Sequence, residues 1–362
     1  MPNPIKPKRE AADNLSRQAF EIGGQSVLPG TKQTIQLPMS LLSTHTPMTI
    51  PVQVVHGKKD GPRLFVSAAI HGDELNGVEI IRRVLKSPRL TRLRGTLIAV
   101  PIVNVFGFIS QSRYLPDRRD LNRSFPGNPK GSLTAQLAHV FFKEVVSRCT
   151  HGIDLHTGAI HRTNLPQIRA NLDGPGMEEL AQAFAAPLVL HSNLRDGSLR
   201  LAATEKDIPT MLYEAGEALR FDELSIRVGV RGIIRVMQAL EMLTPPPSPH
   251  KSIVSRSSYW VRAPTGGILR TRLRNGVLIK TNERLGTIAD PFGESETTVS
   301  SGEAGILIGR ANLPVVNQGD AIFHIAHVHD ATSAEKVVEG FHEQLDQNID
   351  VEVEALLPPH SP

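Results

Sequence analysis

The chain has 362 residues, enough for two domains, and its composition of 40% hydrophobic and 21% charged residues is typical of a soluble globular protein. It contains one Trp and three Tyr, so a mainly aliphatic core is expected and aromatic stacking surfaces for nucleic acid are not. The net charge of +4 is too small to predict nucleic-acid binding, although a mildly basic surface would suit an anionic substrate.

Cys149 is the only cysteine of the sequence, which excludes an internal disulfide and a zinc site built from thiolates. We interpret it as a buried, inert thiol. The first residues, MPNPIKPKREAADNL, lack the apolar core of a secretory signal, and no run of about 18 apolar residues is present to span a membrane. A cytoplasmic location without a membrane partner is therefore expected.

Hydrophobic periodicity divides much of the chain into strands and helices. The apolar run RLFVSAAI suits a central strand buried on both faces, and the turn sequence GKKDGP precedes it. Strands that alternate with helices at this spacing argue for a parallel or mixed α/β sheet. In chain order, the predicted elements are an N-terminal arm or edge segment over 1–47, strands 48–56 and 63–70, helix 76–85, strand 95–103, a polar loop over 116–131, helix 133–146, strand 152–156, helix 177–185, strands 187–191 and 208–214, and helix 221–243.

The character of the sequence changes after TPPPSPH, residues 244–250, which has the composition of a linker. Short β-type runs then alternate with turns that contain Gly and Asn, and this pattern predicts a small all-β domain over 251–329. The remaining stretch, 330–362, is acidic and is interpreted as a surface tail. The predicted α/β domain therefore covers residues 48–245.

Three polar side chains coincide with the ends of predicted strands. His71, His156 and Glu214 each lie at or just after the carboxyl end of a strand, where open α/β sheets bind ligands. His71 and Glu74, in HGDE, are close enough at a strand–helix junction to reach one ion. Two histidines and one glutamate form a known ligand set for catalytic zinc, which leaves one position for water. Asp73 competes as a ligand, but in such a turn we interpret it as the helix cap.

A zinc hydrolase also needs a base. Catalytic zinc lowers the pKa of its water and polarises a carbonyl, and a carboxylate that is not a ligand must then accept the proton of the water. Glu214 is the candidate for that base, and Glu217 is a weaker rival. Asp154 precedes His156 by two residues on the same strand face and is expected to orient a site group.

The loop QSRYLPDRRDLNRSFPG brings Arg113, Asp120, Asn122 and Arg123 together in a segment punctuated by Pro and Gly. The plain alternative is a solvated basic loop. Arginine, however, offers a planar fork that matches a carboxylate, which lysine cannot imitate. One arginine could bind a substrate carboxylate, and another could stabilise the oxyanion of a tetrahedral intermediate.

The motifs HGDE, DLNRSFPG, DLHTG and YEAGE, in this order, resemble the succinylglutamate desuccinylase/aspartoacylase family of the zinc-carboxypeptidase-like superfamily. The similarity covers roughly residues 48–245, and the β-rich region that follows is similar to the C-terminal domain of that family. The resemblance implies an α/β fold, in which a zinc-carboxypeptidase-like mixed sheet with helices on both faces is followed by a small all-β C-terminal domain. It also implies roles for particular residues, namely zinc ligands His71, Glu74 and His156, general base Glu214, Arg113 beside the scissile carbonyl, and Asn122 and Arg123 for the substrate carboxylate.

The sequence thus predicts a zinc-dependent hydrolase, with one zinc per chain, that cleaves the amide bond of an N-acyl amino acid. The alternative with the same chemistry is a zinc carboxypeptidase or another peptidase acting on short peptides. A third hypothesis is a non-catalytic binding module, although a structural zinc would normally have four protein ligands. The expected partner is a small-molecule substrate with a carboxylate, and homo-oligomerisation is left open. His324 and His327 lie in an apolar β run, so packing is favoured over a second metal.

Overall fold

The computed structural model describes residues 17–244 and 252–328, and one large mixed sheet connects the two parts. The α-helices are α1 (Asn76–Val84), α2 (Val105–Ile109), α3 (Leu133–Glu144), α4 (Met177–Phe184), α5 (Leu199–Thr204) and α6 (Glu223–Ala239). The strands of the first part are β1 (Phe20–Ile22), β2 (Gln25–Val27), β3 (Thr31–Leu41), β4 (Pro47–His56), β5 (Lys59–Ala68), β6 (Arg94–Val100), β7 (His151–Gly158), β8 (Arg162–Ala170), β9 (Leu188–His191) and β10 (Thr210–Glu217). The strands of the second part are β11 (Ile253–Ser255), β12 (Ser258–Arg262), β13 (Gly267–Arg270), β14 (Leu278–Ile279), β15 (Arg284–Ala289), β16 (Glu296–Ser300), β17 (Gly305–Ala311), β18 (Val315–Val316) and β19 (Ala321–Ala326).

The centre of the large sheet is parallel and its flanks are antiparallel. Its main path runs β12-β19-β17-β8-β10-β7-β5-β6-β4-β3. β7 pairs in parallel with both β5 and β10, whereas β8 pairs antiparallel with β10 and with β17. The mixed α/β sheet predicted from the sequence is confirmed. Because β5, β7 and β10 run in the same direction, their carboxyl ends lie side by side.

Helices cover both faces of the sheet, as the family resemblance implies. Leu155 of β7 and Tyr213 of β10 are buried in a core that they share with α1, α4 and α6. Successive side chains of a strand point to opposite faces, so His156 and Glu214 project to the other face. There, α3 and α5 contribute to a second core. The strand alternation thus sends the apolar residues of β7 and β10 to one side and the candidate site residues to the other.

The regular secondary structure of residues 252–328 consists of short strands, as expected. Some of them, including β12, β17 and β19, extend the large sheet, whereas β13, β15, β16 and β18 form a separate four-stranded sheet. Ile306 and Ile308 of β17 are buried in the same core as α1 and α6. The domain boundaries drawn from the sequence stay predictions, and residues 245–251 and the tail predicted over 330–362 lie outside the described residues.

The turn predicted over GKKDGP is too long. β5 already begins at Lys59, so the chain reverses over Gly57 and Lys58 alone. β6 lies between β4 and β5 in the sheet, and the connection is therefore not a hairpin. Gly57 is required because a Cβ at this position would lie 2.0 Å from the carbonyl oxygen of Leu93.

The segment interpreted as an arm or edge contains β3, which pairs with β4 at one end of the main strand path. Only Ile35 and Leu37 of its 11 residues are buried, which explains the weak periodicity of the sequence. No helix within residues 17–244 and 252–328 is long and apolar enough to cross a membrane.

Candidate active site

The loop between β5 and α1 positions the first two predicted ligands. His71 follows the end of β5 by three residues, and the amide of Glu74 donates to the carbonyl of His71 over 3.1 Å. Both side chains therefore emerge from one turn. Gly72 allows this turn to pack against α2, since a Cβ at position 72 would lie 1.9 Å from the carbonyl carbon of Gly107.

His71, Glu74 and His156 converge on one point. Nδ1 of His71 lies 2.7 Å from Oε1 of Glu74, and Nδ1 of His156 lies 2.7 Å from Oε2. One donor atom from each residue lies within 4.8 Å of the other two, and all three side chains are buried. Two imidazole nitrogens and a carboxylate form a donor set that suits catalytic zinc. The residues therefore fit the predicted metal.

Each histidine contacts a second carboxylate through its other ring nitrogen, Nε2. Nε2 of His71 lies 3.1 Å from Oδ1 of Asp120, and Nε2 of His156 lies 2.7 Å from Oδ2 of Asp154. Ser67 in turn donates to Oδ1 of Asp154 over 2.8 Å. These contacts fix both rings with Nδ1 toward Glu74, as outer-shell carboxylates do at metal centres. The orienting contact expected of Asp154 is present, and Asp120 supplies the matching one.

The charges of this cluster are strongly coupled. Burial lowers the pKa of His156, but the carboxylates of Asp154 and Glu74 outweigh it and hold that pKa well above its usual value. The pKa of His71 is raised in the same way, because Glu74 and Asp120 outweigh burial. Burial raises the pKa of Glu74, but the two histidines outweigh it and lower the pKa. A cation bound here would replace protons on the histidines, so its binding would release protons.

The cap predicted at Asp73 is wrong. Leu75 is the N-cap residue of α1 and accepts no side-chain cap hydrogen bond. Asp73 is buried, and its Oδ1 has no hydrogen-bond partner among the described residues. Burial, with the nearby Glu74, raises its pKa. Glu74 and Leu75 separate Asp73 from Asn76, the first helical residue, which places the Asp73 carboxylate too early in the chain to cap α1.

Glu214 lies beside the metal-binding cluster on the next strand. Its Cα pairs in register with that of His156 across β10 and β7. Oε1 accepts a hydrogen bond from Nδ2 of Asn164 over 2.8 Å, and Oε2 lies 3.1 Å from Nη1 of Arg169. The side chain is 15% exposed and lines the same cavity as the cluster. Glu214 thus has a fixed carboxylate that a molecule in the cavity can reach.

Glu217, the rival for the base, has other partners. Its Oε1 accepts from the amide of His161 over 3.1 Å, and its Oε2 accepts from Nδ2 of Asn312 over 2.8 Å. These contacts connect β10 to residues around β8 and β17, and Glu217 does not line the cavity that contains Glu214. The geometry therefore favours Glu214.

The arginine-rich loop lies against the cluster. Nη1 of Arg113 is 3.3 Å from Oε1 of Glu74, and its Nη2 donates to Asp120 over 3.0 Å. Oδ1 of Asn122 accepts from the amide of Leu199 over 2.9 Å, which joins the loop to the first turn of α5. Arg123 follows at the cavity surface. The loop is therefore part of the site, not a solvated spacer.

The predicted site residues line one cavity of about 600 Å³. Both parts of the described chain line it, because Trp260, Arg262 and residues 319–321 form part of its wall. Its predicted site residues are His71, Glu74, Arg113, Asn122, Arg123, His156 and Glu214. The volume is in the range of small-molecule pockets.

The lining is rich in arginine, and of these arginines only Arg113 and Arg123 are predicted from the sequence. Arg200 is 8% exposed and donates to the carbonyls of Ser192 and Asn193 and to the Ser192 hydroxyl, each over 3.2 Å. No carboxylate of the described residues forms an ion pair with it. Burial, together with Arg169 and Arg195, lowers its pKa to about 10 against the smaller opposing effect of Glu214 and Asp154. The arginines that line the cavity are Arg113, Arg123, Arg162, Arg169, Arg195, Arg200 and Arg262.

The histidines of the second part have packing partners. His324 is buried, stacks on Trp260 with ring centroids 4.3 Å apart, and its Nε2 lies 2.9 Å from the Ser258 hydroxyl. Burial lowers the pKa of His324 to about 3, with Arg169 contributing. His327 lies 2.8 Å from the Ser257 hydroxyl through Nδ1. In residues 17–244 and 252–328, the one group of three metal-ligating side chains is the cluster around Glu74.

Comparison with known proteins connects this geometry to a family. Residues 60–240, half of the chain, match the Succinylglutamate desuccinylase/Aspartoacylase catalytic domain. A curated protein of Halomonas elongata, N-alpha-acetyl-L-2,4-diaminobutyric acid deacetylase, is 27% identical over 294 residues, which cover 77% of this chain and 86% of that protein.

Solved structures share the fold. The succinylglutamate desuccinylase/aspartoacylase of Rhodobacter sphaeroides superposes with a TM-score of 0.73 at 24% identity, over 82% of this chain and 96% of that one. The product-bound ectoine utilization protein EutE (DoeB) of Ruegeria pomeroyi gives a TM-score of 0.74 at 22% identity, over 90% of this chain and 99% of that one. With the matched catalytic domain and the motifs in one cavity, this chain belongs to the succinylglutamate desuccinylase/aspartoacylase family.

Proposed function

We propose that this protein is a zinc-dependent hydrolase that cleaves the amide bond of an N-acyl amino acid. The observation that carries the proposal is the position of Glu214, on the strand next to His156 and in the cavity of the His71, Glu74 and His156 cluster. A ligand set and a separate carboxylate base are the two parts that metal-assisted amide hydrolysis requires. The family, and the deacetylase activity in the name of the Halomonas relative, support it.

The roles of the residues follow from their positions. His71, Glu74 and His156 would hold zinc, which supplies Lewis-acid polarisation of the substrate carbonyl and a lower pKa for the attacking water. Glu214 accepts the proton of that water and returns it to the departing nitrogen. Arg113, beside Glu74, donates to the carbonyl oxygen as negative charge develops on it.

The arginine-rich loop would bind the carboxylate of the substrate. Arg123 offers a bidentate fork to the carboxylate of the amino acid, and the Nδ2 group of Asn122 adds a donor while its Oδ1 holds α5. Trp260 and Arg262, from the second part of the chain, form part of the cavity wall. A cavity closed in this way favours a small substrate. A carboxypeptidase or other peptidase acting on short peptides has the same chemistry and is the alternative function. The complete ligand set and base argue against a non-catalytic binding module.

The charge of the cavity restricts the substrate further. Arg200 is buried without an ion pair among the described residues, and Arg169 and Arg195 lower its pKa more than Glu214 and Asp154 raise it. A substrate with a second anionic group would offset this charge, whereas an ammonium group would be repelled. The name of the Halomonas relative indicates a substrate whose side chain carries an amine. We therefore propose that this protein prefers acidic N-acyl amino acids to that substrate.

A panel of substrates tests the proposal. We expect kcat/KM to fall in the order N-acetyl-aspartate or N-acetyl-glutamate, N-acetyl-alanine, and Nα-acetyl-2,4-diaminobutyrate, with short peptides hydrolysed far more slowly. Release of the free amine is measured at fixed pH and ionic strength, because surface charge effects are screened by salt. Faster turnover of the peptides would favour the peptidase, and preference for the cationic substrate would contradict the charge argument.

A further inference from the structure

We propose that Asn164 positions the carboxylate of Glu214 for proton transfer, and that Gly309 of the second part of the chain provides the space for Asn164. The inference rests on the proposed function, in which Glu214 is the base. Asn164 is a positioning residue, since it acts on the reaction through Glu214.

The first observation is the hydrogen bond that holds Glu214. Asn164, on β8, is 7% exposed, and its Nδ2 donates to Oε1 of Glu214 over 2.8 Å. Arg169, also on β8, lies against Oε2. The two contacts hold both oxygens of the carboxylate from one strand, which fixes its rotation about the last side-chain bond. Without Asn164, only Arg169 would hold the carboxylate of Glu214, which could then rotate. A catalytic group must be held within about 10–20° of its productive orientation.

The second observation is an irregularity in the sheet at this point. The pairing of β10 with β8 shifts register between Glu214 and Gly216, and Gly216 lies opposite Asn164. An irregular ladder next to a site re-aims side chains, but it does not by itself hold them. A specific side-chain contact is therefore needed to fix Glu214, and Asn164 provides it.

The third observation is the glycine behind Asn164. Gly309 of β17 pairs in register with Asn164, and a Cβ at position 309 would lie 2.5 Å from its Oδ1. The next atoms, Cβ of His324 and the carbonyl oxygen of Thr163, would be 3.5 Å away, which is ordinary contact. The Asn164 amide is thus the one severe obstacle among the three nearest atoms. Any side chain at 309 would displace that amide and, with it, the carboxylate of Glu214.

The test begins with Asn164→Ala, assayed in the zinc-loaded full-length protein. We expect kcat to fall by about tenfold or more, the loss typical of outer-shell partners, with KM and zinc content unchanged. In a Glu214→Gln background, Asn164→Ala should remove no further activity. The matched control is Asn312→Ala, which breaks the equivalent amide–carboxylate contact to Glu217 outside the cavity and should leave kcat unchanged. A wild-type kcat in Asn164→Ala, or equal losses in it and in Asn312→Ala, would overturn the inference.

Gly309→Ala gives an independent measurement through a double-mutant cycle. We expect Gly309→Ala alone to lower kcat by about as much as Asn164→Ala, and to cost nothing more in the Asn164→Ala background, where the obstacle is gone. The same loss in both backgrounds would contradict the inference. If Asn164→Ala does not fold, Asn164→Ser shortens the side chain and takes its place in the cycle. Full activity in Glu214→Gln would instead refute the proposed base, so the two failures are distinguishable.

Discussion

Replacing Glu214 by Gln should leave a folded protein that still binds zinc but has lost about 10²–10⁴-fold of its kcat, the range that general acid–base catalysis contributes. Gln keeps the size of the side chain and an oxygen that can accept from Asn164, so the sheet should not rearrange. Its amide cannot accept the proton of water. Because Glu214 is not in the ligand cluster, the zinc content should equal that of the wild type.

The matched control is Glu217→Gln, because Glu217 is the nearby carboxylate that does not line the cavity. It should retain wild-type kcat within a few-fold. Thermal unfolding and zinc analysis on both variants separate a catalytic loss from misfolding. Activity near the wild-type level in Glu214→Gln would remove Glu214 from the mechanism, and a large loss confined to Glu217→Gln would transfer the role of base to that residue.

Replacing His156 by Asn should abolish stoichiometric zinc binding and, with it, hydrolysis. Only one imidazole and one carboxylate would remain, which is fewer than the three protein ligands usual at catalytic zinc. Asn is polar and can donate to Glu74 or Asp154, which limits the penalty of leaving those buried carboxylates without a partner. Zinc is measured by elemental analysis after gel filtration, and folding by circular dichroism.

His161→Asn is the control for the loss of a histidine. His161 is exposed and has a φ of 65°, a conformation that Asn tolerates, so its replacement should change neither zinc content nor folding. One zinc per chain in His156→Asn with full activity would show that the ligand set is wrong. Zinc loss in both variants would point to a nonspecific effect of histidine removal.

The central strands and the grouping of His71, Glu74 and His156 could be predicted because their signals are local. The apolar run of β5 ends just before His71, and DLHTG places His156 near the end of β7. Parallel pairing then brings these ends together, as the sequence pattern predicts. β3 is harder to predict, because in the sequence an edge strand with two buried residues resembles an irregular arm.

The supporting contacts of the site could not be predicted, because they depend on register between distant strands. Asn164 meets Glu214 only through the pairing of β8 with β10, and Gly309 meets Asn164 only through β17. In sequence, Gly309 is one glycine among 29, and nothing local distinguishes it. Arg200 is equally ordinary on its helix, and its importance follows from its burial without an ion pair in the described chain.

Zinc content should be measured on protein purified without a metal-affinity tag, together with hydrolysis of N-acetyl-aspartate before and after chelation. We expect about one zinc per chain, release of aspartate, loss of that activity with chelator and its recovery when zinc is restored. Protein that contains no metal, and that releases no amine from any N-acyl amino acid after zinc is added, would contradict the assignment of a metal-dependent deacylase.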